Sequence, residues 1–277
     1  MQRENPKAEP RKNFPRNRHR RIASKVRMGA RRQPKYRRKS GNNRAKRSCL
    51  NRKVAPFIFR THRKFMTDPL KTPEIIPSLF AADPLHYCEA LKIVERFGCR
   101  RIHLDIMDGH FVPNISFGAS VVAAVAKEYP RLFREVHLMV QNPQQHFEAF
   151  IKSGAQRLFI HIELAPKVLE GAVHCLQSEA VDWGFAVNPE TSIETLQTYR
   201  DWVLNTQHLL LMSVHPGFCG QTFIKETYER VKELRGHFPH LKLCIDGGIR
   251  TPEAQRLQEL GVESVVMGSA FFKKVSV

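Results

Sequence analysis

The chain has 277 residues, with 45 Lys and Arg, 26 Asp and Glu, and a formal net charge of +19. Residues 1–65 carry 24 of the bases and 2 of the acids; residues 66–277, with 21 and 24, are close to neutral, so the basicity belongs to one end. No run of 18 apolar residues occurs, which excludes a membrane-spanning helix, and no secretory signal is visible.

Residues 1–65 run through RKNFPRNRHRRIASKVR and ARRQPKYRRKSGNNRAKR with no apolar period before Val54. Such a segment cannot bury enough apolar surface to offset the entropy of ordering it, so a disordered basic extension is expected. Three roles compete for it. It is an inert tail or translated upstream sequence, with Met66 opening the folded part. It is a basic arm for nucleic acid or another polyanion. Or it is a transit peptide, although Ser is sparse and no amphipathic helix is evident. The first is preferred, because few aromatics interleave with the charges and no RNA-binding motif is present. The expected division is therefore 1–65, extension, and 66–277, one domain long enough for a single large core. The six cysteines (49, 88, 99, 175, 219, 244) form no C-x-x-C pair, and several sit in apolar stretches. That usage fits a reducing compartment, most simply the cytoplasm.

Strand and helix signals alternate from residue 74 onward. EIIPSLF (74–80) reads as a strand. Asp83 reads as an N-cap with Pro84 at the first helical position, and Leu85, Cys88, Leu91 and Val94 give a helical stripe that Gly98 stops. RIHLDIM (101–107) is the second strand, followed by a helix over 118–129 and a strand over 135–140. Asn142-Pro143 repeats the cap-plus-proline device before a helix that runs to Gly154. A strand over 157–163, a helix near 167–178, a strand over 183–188 and a helix near 192–203 come next. A strand over 209–214, a helix over 225–236 and a strand over 241–246 follow. The last units are a helix over 252–260, capped by Thr251-Pro252 and closed by Gly261, and a strand over 264–269. Most of the eight strands are near-continuous apolar runs, as parallel strands buried on both faces require. Eight such units in roughly 200 residues predict a (β/α)₈ TIM barrel. A doubly wound open sheet is the runner-up, but no G-x-G-x-x-G follows the first strand. After Ser269 only AFFKKVSV remains. The outer helix after strand eight is thus expected to be missing or truncated to a turn, exposing apolar surface and weakening closure.

The chemistry lies at strand ends. His103 and Asp105 are two apart, so on a strand they point to the same face. With His137 and Asp246 they form a His₂Asp₂ set that can hold a divalent metal, and whose two carboxylates can serve as paired acid and base. Such a donor set suits Zn²⁺, Fe²⁺ or Mn²⁺ without choosing among them.

The segments IHLDIMDGHFVPN, VHLMV, LLMSVHPGFCGQ, CIDGGI and MGSA, with an opening PSLFAADPLHY, resemble the signature segments of the ribulose-phosphate 3-epimerase family in order and spacing. The resemblance covers about 74–272. It implies a metal-dependent (β/α)₈ barrel that inverts C3 of a ketose phosphate, usually D-ribulose 5-phosphate to D-xylulose 5-phosphate. It implies one divalent ion on His103, Asp105, His137 and Asp246, with Asp105 and Asp246 as proton acceptor and donor. Ser78 and His137 would touch substrate. Gly217, Phe218, Cys219 and Gly220, with Gly247, Gly248, Gly268 and Ser269, would bind the phosphate end without needing Arg or Lys. The partner is then a small ketose phosphate, with a homo-oligomer among the assemblies allowed. Met107, Met139 and Met212 read equally as an apolar wall shielding an enediolate or as barrel filling. His161 reads as an interior histidine with a hydrogen-bond partner, and Asp108 as a turn or cap at least as readily as a site residue. His86, His146, His174, His237 and His240 read as surface or helix positions.

Two departures put the sugar in question. His215 stands where the family commonly has Asn, and Cys219 replaces a small residue in a G-F-G-G turn. A positive φ there would strain a cysteine by about 1 kcal/mol. D-allulose 6-phosphate is therefore an alternative substrate. A weakly active barrel with a nucleic-acid-binding arm is a second alternative. An orotidine-type decarboxylase would show a D-x-K-x-x-D run, and this chain has none.

Overall fold

The computed structural model describes residues 73–273. The expectations for residues 1–65 and for a boundary at 65/66 lie outside the described residues. Eight strands form: β1 (Glu74–Pro77), β2 (Arg101–Met107), β3 (Phe133–Met139), β4 (Arg157–His161), β5 (Asp182–Val187), β6 (His208–Met212), β7 (Lys242–Asp246) and β8 (Ser264–Met267). They pair in parallel in the order β1-β8-β7-β6-β5-β4-β3-β2. A parallel bridge between Ser78 and His103 joins the two remaining edges, so the sheet curls into a nearly closed barrel. Nine helices alternate with the strands among the described residues: α1 (Tyr87–Arg96), α2 (Ala119–Glu128), α3 (Phe147–Lys152), α4 (Pro166–Ser178), α5 (Ile193–Thr198), α6 (Arg200–Thr206), α7 (Thr227–His237), α8 (Thr251–Glu259) and α9 (Ser269–Lys273). This is the (β/α)₈ TIM barrel that the spacing predicts.

Both faces of each strand are buried, which explains the unbroken apolar runs. Ile102, Leu104 and Ile106 of β2, with Val136 and Leu138 of β3, face outward and pack in the layer shared with the helices. The inward residues divide by sector. Ile76, Phe159, Ala186, Leu210, Met212, Cys244 and Val266 make an apolar interior. On β2, β3 and β4 the inward positions are instead largely ionic: Arg101, His103, Asp105, Glu135, His137, Arg157 and His161 are buried or nearly so. That polar sector marks where the site lies, because buried charge survives only with partners.

Several expected details shift. Pro84–His86 is a 3₁₀ turn, and Asp83 Oδ1 accepts from the Leu85 N–H at 3.0 Å, so the cap serves that turn rather than α1. The helix begins later, which takes Leu85 off the stripe and leaves it 88% exposed; Cys88 is exposed too. Asn142 makes no side-chain cap, and Pro143–Gln145 is again 3₁₀. The single helix expected near 192–203 breaks at Tyr199 (φ −105°, ψ 28°), whose ring stacks on Trp202 with centroids 5.2 Å apart. The cap of α8 falls on Arg250, whose N–H donates to Glu253 Oε2 at 3.0 Å. Within the described residues the final helix, Ser269–Lys273, is short, as expected. All four residues of β1 pair with β8, and Phe271 of α9 is buried against Phe97 with centroids 5.4 Å apart.

Candidate active site

Strand register assembles the site. β2 and β3 pair with Asp105 beside His137, and β6 and β7 pair with Met212 beside Asp246. Period two keeps His103 and Asp105 on the interior face, one layer apart. One ligand atom from each of His103, Asp105, His137 and Asp246 lies within 4.8 Å of all the others. His103 Nε2 is 3.3 Å from Asp105 Oδ1 and 3.8 Å from Asp246 Oδ2. His137 Nδ1 is 3.1 Å from Asp105 Oδ1 and 4.0 Å from Asp246 Oδ2. Ser78 Oγ donates to Asp105 Oδ2 at 2.6 Å.

Each imidazole is held from behind. His103 Nδ1 lies 2.8 Å from Glu135 Oε1, and Glu135 is fully buried. Its other oxygen accepts from Arg101 Nη2 and lies 3.7 Å from Arg157 Nη1. Arg101 also donates to Glu74 at 3.0 Å, and Arg157 to Asp182 at 2.6 Å, so the floor of the barrel is an ion network. His137 Nε2 lies 2.9 Å from His161 Nε2. His161 is therefore the partnered interior histidine that the sequence predicts.

The four groups fit a divalent cation on a specific observation. His103 Nε2 is buried and has no hydrogen-bond partner, although two carboxylates stand near it. A carboxylate only accepts, so Glu135 fixes the proton on Nδ1 and turns Nε2 toward two carboxylates, where a cation can take the place of a proton. A cation among them would satisfy all three. Imidazole and carboxylate donors match Zn²⁺, Fe²⁺ or Mn²⁺.

Electrostatics separate the two carboxylates. Burial alone would raise Asp105, but the charge of His103, with the hydrogen bond and charge of His137, overcomes it and holds Asp105 far below the usual carboxylate range. Asp246 is pushed up to about 7 by burial and then by the charge of Asp105, with His103 pulling the other way. Burial opposes a proton on His103, yet Asp105, Glu135 and Asp246 together raise it well above its ordinary value. His137 falls to about 4, chiefly through burial, with His161 and His103 adding to the fall against Asp105.

The cavity above this floor takes in nearly all the residues singled out in the sequence. Ser78, Asp105 and Asp246 line it, with Met107, Met139 and Met212 on its walls. Gly217, Phe218, Cys219 and Gly220 border it on one side, and Gly247, Gly248, Gly268 and Ser269 on another. Gly247 and Gly248 have φ of 116° and 65°, and a Cβ on Gly248 would lie 2.5 Å from the Phe223 backbone nitrogen. No other residue type fits that approach. Gly217 and Gly220 also take positive φ, but Cys219 does not, so the strain expected of it is not present. Its thiol is pushed up to about 12 by partial burial and then by the charges of Asp105 and Asp246, which keeps it protonated. His215 lines the rim and its Nδ1 pairs with Glu190 Oε1 at 2.7 Å. Asp108 is a loop brace: its carboxylate accepts from the His110, Phe111 and Gln141 N–H groups at 2.8–2.9 Å.

Sequence reading passed over Arg250. It follows the Gly247-Gly248 turn, lines the cavity and is exposed. Its signal was only its place after the glycine pair. An exposed guanidinium beside these glycine turns would add attraction for an anion in the cavity without being the main grip. Arg250→Ala is expected to raise the KM for a sugar phosphate about three- to tenfold with kcat nearly unchanged, an effect of roughly 1 kcal/mol; steady-state kinetics at two salt concentrations check this.

Residues 74–272 match the model of the ribulose-phosphate 3 epimerase family. The chain belongs to that family. Relatives named ribulose-phosphate 3-epimerase agree. One from Chlamydia trachomatis is 40% identical over 209 residues, covering 73% of this chain and 88% of the relative. One from Bacillus subtilis is 34% identical, covering 72% and 92%. The chloroplastic ribulose-5-phosphate-3-epimerase of Arabidopsis thaliana is 36% identical, covering 72% and 71%. Membership makes this chain an enzyme, a carbohydrate epimerase. Among solved structures, a mutant tryptophan synthase alpha-subunit from Pyrococcus furiosus overlays with a TM-score of 0.57 at 18% identity, covering 74% and 91%. That likeness concerns the fold alone. No helix among the described residues is long and apolar enough to cross a membrane.

Proposed function

We propose that this chain inverts C3 of a ketose phosphate, converting D-ribulose 5-phosphate to D-xylulose 5-phosphate with one divalent ion. The reading rests on two carboxylates, Asp105 and Asp246, that share one cavity yet hold protons differently. Inverting a carbon beside a carbonyl needs a proton removed on one face and another delivered to the opposite face. A single base tends to return the proton where it came from. Asp105, held ionised, suits the acceptor; Asp246, held near neutrality, suits the donor. Ser78 fixes the Asp105 carboxylate through Oδ2. His103, Asp105, His137 and Asp246 would hold the ion. Such an ion, when bound, supplies Lewis-acid charge to the substrate oxygens as C3 loses its proton. Met107, Met139 and Met212 present polarizable apolar surface that keeps water from the enediolate. Gly247, Gly248, Gly268 and Ser269 leave space for the phosphate against their backbone N–H groups. The five described cysteines are all free, which supports a reducing compartment such as the cytoplasm.

The test uses the purified full-length chain with D-ribulose 5-phosphate, and with D-allulose 6-phosphate as comparison substrate. Expected are C3 inversion favouring the pentulose, loss on dialysis against a chelator, and recovery with Zn²⁺, Fe²⁺ or Mn²⁺. Full turnover by chelated protein would refute metal dependence. Inertness toward both sugars with metal present would refute the epimerase reading of this site.

A further inference from the structure

The mouth of the barrel is bridged from one side to the other. β2 and β6 lie four strands apart whichever way the ring is followed. The loop after β2 is tied down at both ends. Asp108 braces its start through the His110, Phe111 and Gln141 N–H groups. Near its end, Ser116 Oγ donates to the Asp105 carbonyl at 2.6 Å and accepts from the Met107 N–H at 3.0 Å. Between these anchors Phe111 and Val112 pack on Met107 and Met139, and the tip reaches the loop after β6. There Asn114 Nδ2 donates to the Gly217 carbonyl at 2.7 Å. Gly217 is buried, and a Cβ on it would lie 3.3 Å from Val112 Cβ. The cavity lies to one side of this bridge. Ends of β1, β2, β3, β6, β7 and β8, or the loops after them, supply its lining, and β4 and β5 supply none among the described residues.

The Asn114 carboxamide has a fixed orientation. Its Oδ1 accepts from the Ile115 N–H at 2.9 Å, which leaves the NH₂ group for Gly217. The far loop is folded onto itself, because Gln221 Nε2 donates to the His215 carbonyl at 2.6 Å and to the Phe218 carbonyl at 2.9 Å. A hold on Gly217 is therefore passed to Phe218, Cys219 and Gly220, which border the cavity. These three are exposed, so packing alone does little to fix them.

We infer that Asn114 is a positioning residue: by binding the Gly217 carbonyl across the barrel mouth, it holds the segment Gly217–Gly220 in place beside the cavity. The inference rests on the reading of that cavity as the ketose phosphate site. Asp105 and Asp246 are fixed by their own strands and do not depend on this bond. The segment then contributes equally to binding the ground state and the transition state, and its release raises KM without lowering kcat.

The experiment compares the full chain with its Asn114→Asp and Asn114→Ala variants. Aspartate keeps an oxygen for the Ile115 N–H but sets a second oxygen against the Gly217 carbonyl, where neither group donates. Alanine removes both bonds. Chymotrypsin nicking after Phe218, followed by mass spectrometry without substrate, reports how often the segment opens; steady-state kinetics with D-ribulose 5-phosphate and metal report its effect on the site. Expected in both variants are nicking about three- to tenfold faster and a KM about three- to tenfold higher, the share of one hydrogen bond. The kcat should stay within about twofold. Circular dichroism confirms folding, and Asn114→Ala carries the test where the aspartate variant does not fold. Nicking at the wild-type rate in the folded variants overturns the hold. Faster nicking with an unchanged KM, or a kcat that falls as far as kcat/KM, overturns the positioning role. Wild-type protein inert toward ketose phosphates refutes the epimerase reading, and the nicking rates then decide the bridge by themselves.

Discussion

Asp246→Asn lowers kcat for D-ribulose 5-phosphate by about 100- to 10,000-fold, the range ascribed to one acid–base group, while the barrel stays folded. Asparagine matches the carboxylate in shape and can neither take nor give the proton. Stability should move the other way. Asp246 is raised to about 7, first by burial and then by Asp105. An acid whose folded value exceeds its unfolded value destabilises the fold as pH rises from the unfolded value, and fully so above the folded one. Metal-free Asp246→Asn protein at pH 8 is therefore expected to melt at or above the wild-type temperature. Circular dichroism melts beside a coupled epimerase assay check both halves. Wild-type turnover in the variant would remove Asp246 from the mechanism, and a large fall in melting temperature would give it a structural role instead.

Glu135→Ala is expected to destabilise the metal-free protein by about 3–5 kcal/mol, the cost of breaking a buried ion pair. For a domain of this size the melting temperature falls by roughly 10 °C. The carboxylate is fully buried and touches His103, Arg101 and Arg157. Alanine leaves two guanidinium groups facing one another across a void. Glu135 is held at about 2: burial opposes ionisation, and the hydrogen bond and charge of His103, with Arg101, overcome it. A depressed acid stabilises above its unfolded value and loses that contribution as pH falls through the folded one. The wild-type advantage should thus hold at pH 7 and shrink between about 4.5 and 2. Urea titrations across that range measure it. An equal deficit at pH 7 and at pH 2 would mean that the loss comes from the cavity and not from the charge.

The strands were legible because a parallel strand between barrel interior and helices must be apolar on both faces. β2 was read to the residue, since Arg101–Met107 is bounded by breaks in the apolar run. Helix starts were less legible. Proline after a capping residue marks a turn, but here Pro84 and Pro143 open 3₁₀ turns, and only packing decides where the α-helix takes over. His161 was legible as an interior histidine with a hydrogen-bond partner, but nothing local says that the partner is His137.

By itself, the order of residues determined the eight alternating units, the family, and the four side chains that face one another at the site. Those follow from local periodicity and from motif spacing, which need no knowledge of distant contacts. The tertiary structure alone decided which nitrogen each histidine turns toward the site, how their surroundings shift the two aspartates apart, and that an arginine sits by the glycine turns of the cavity. These depend on burial and on neighbours brought from other strands, and a group's proton is set by what surrounds it in space.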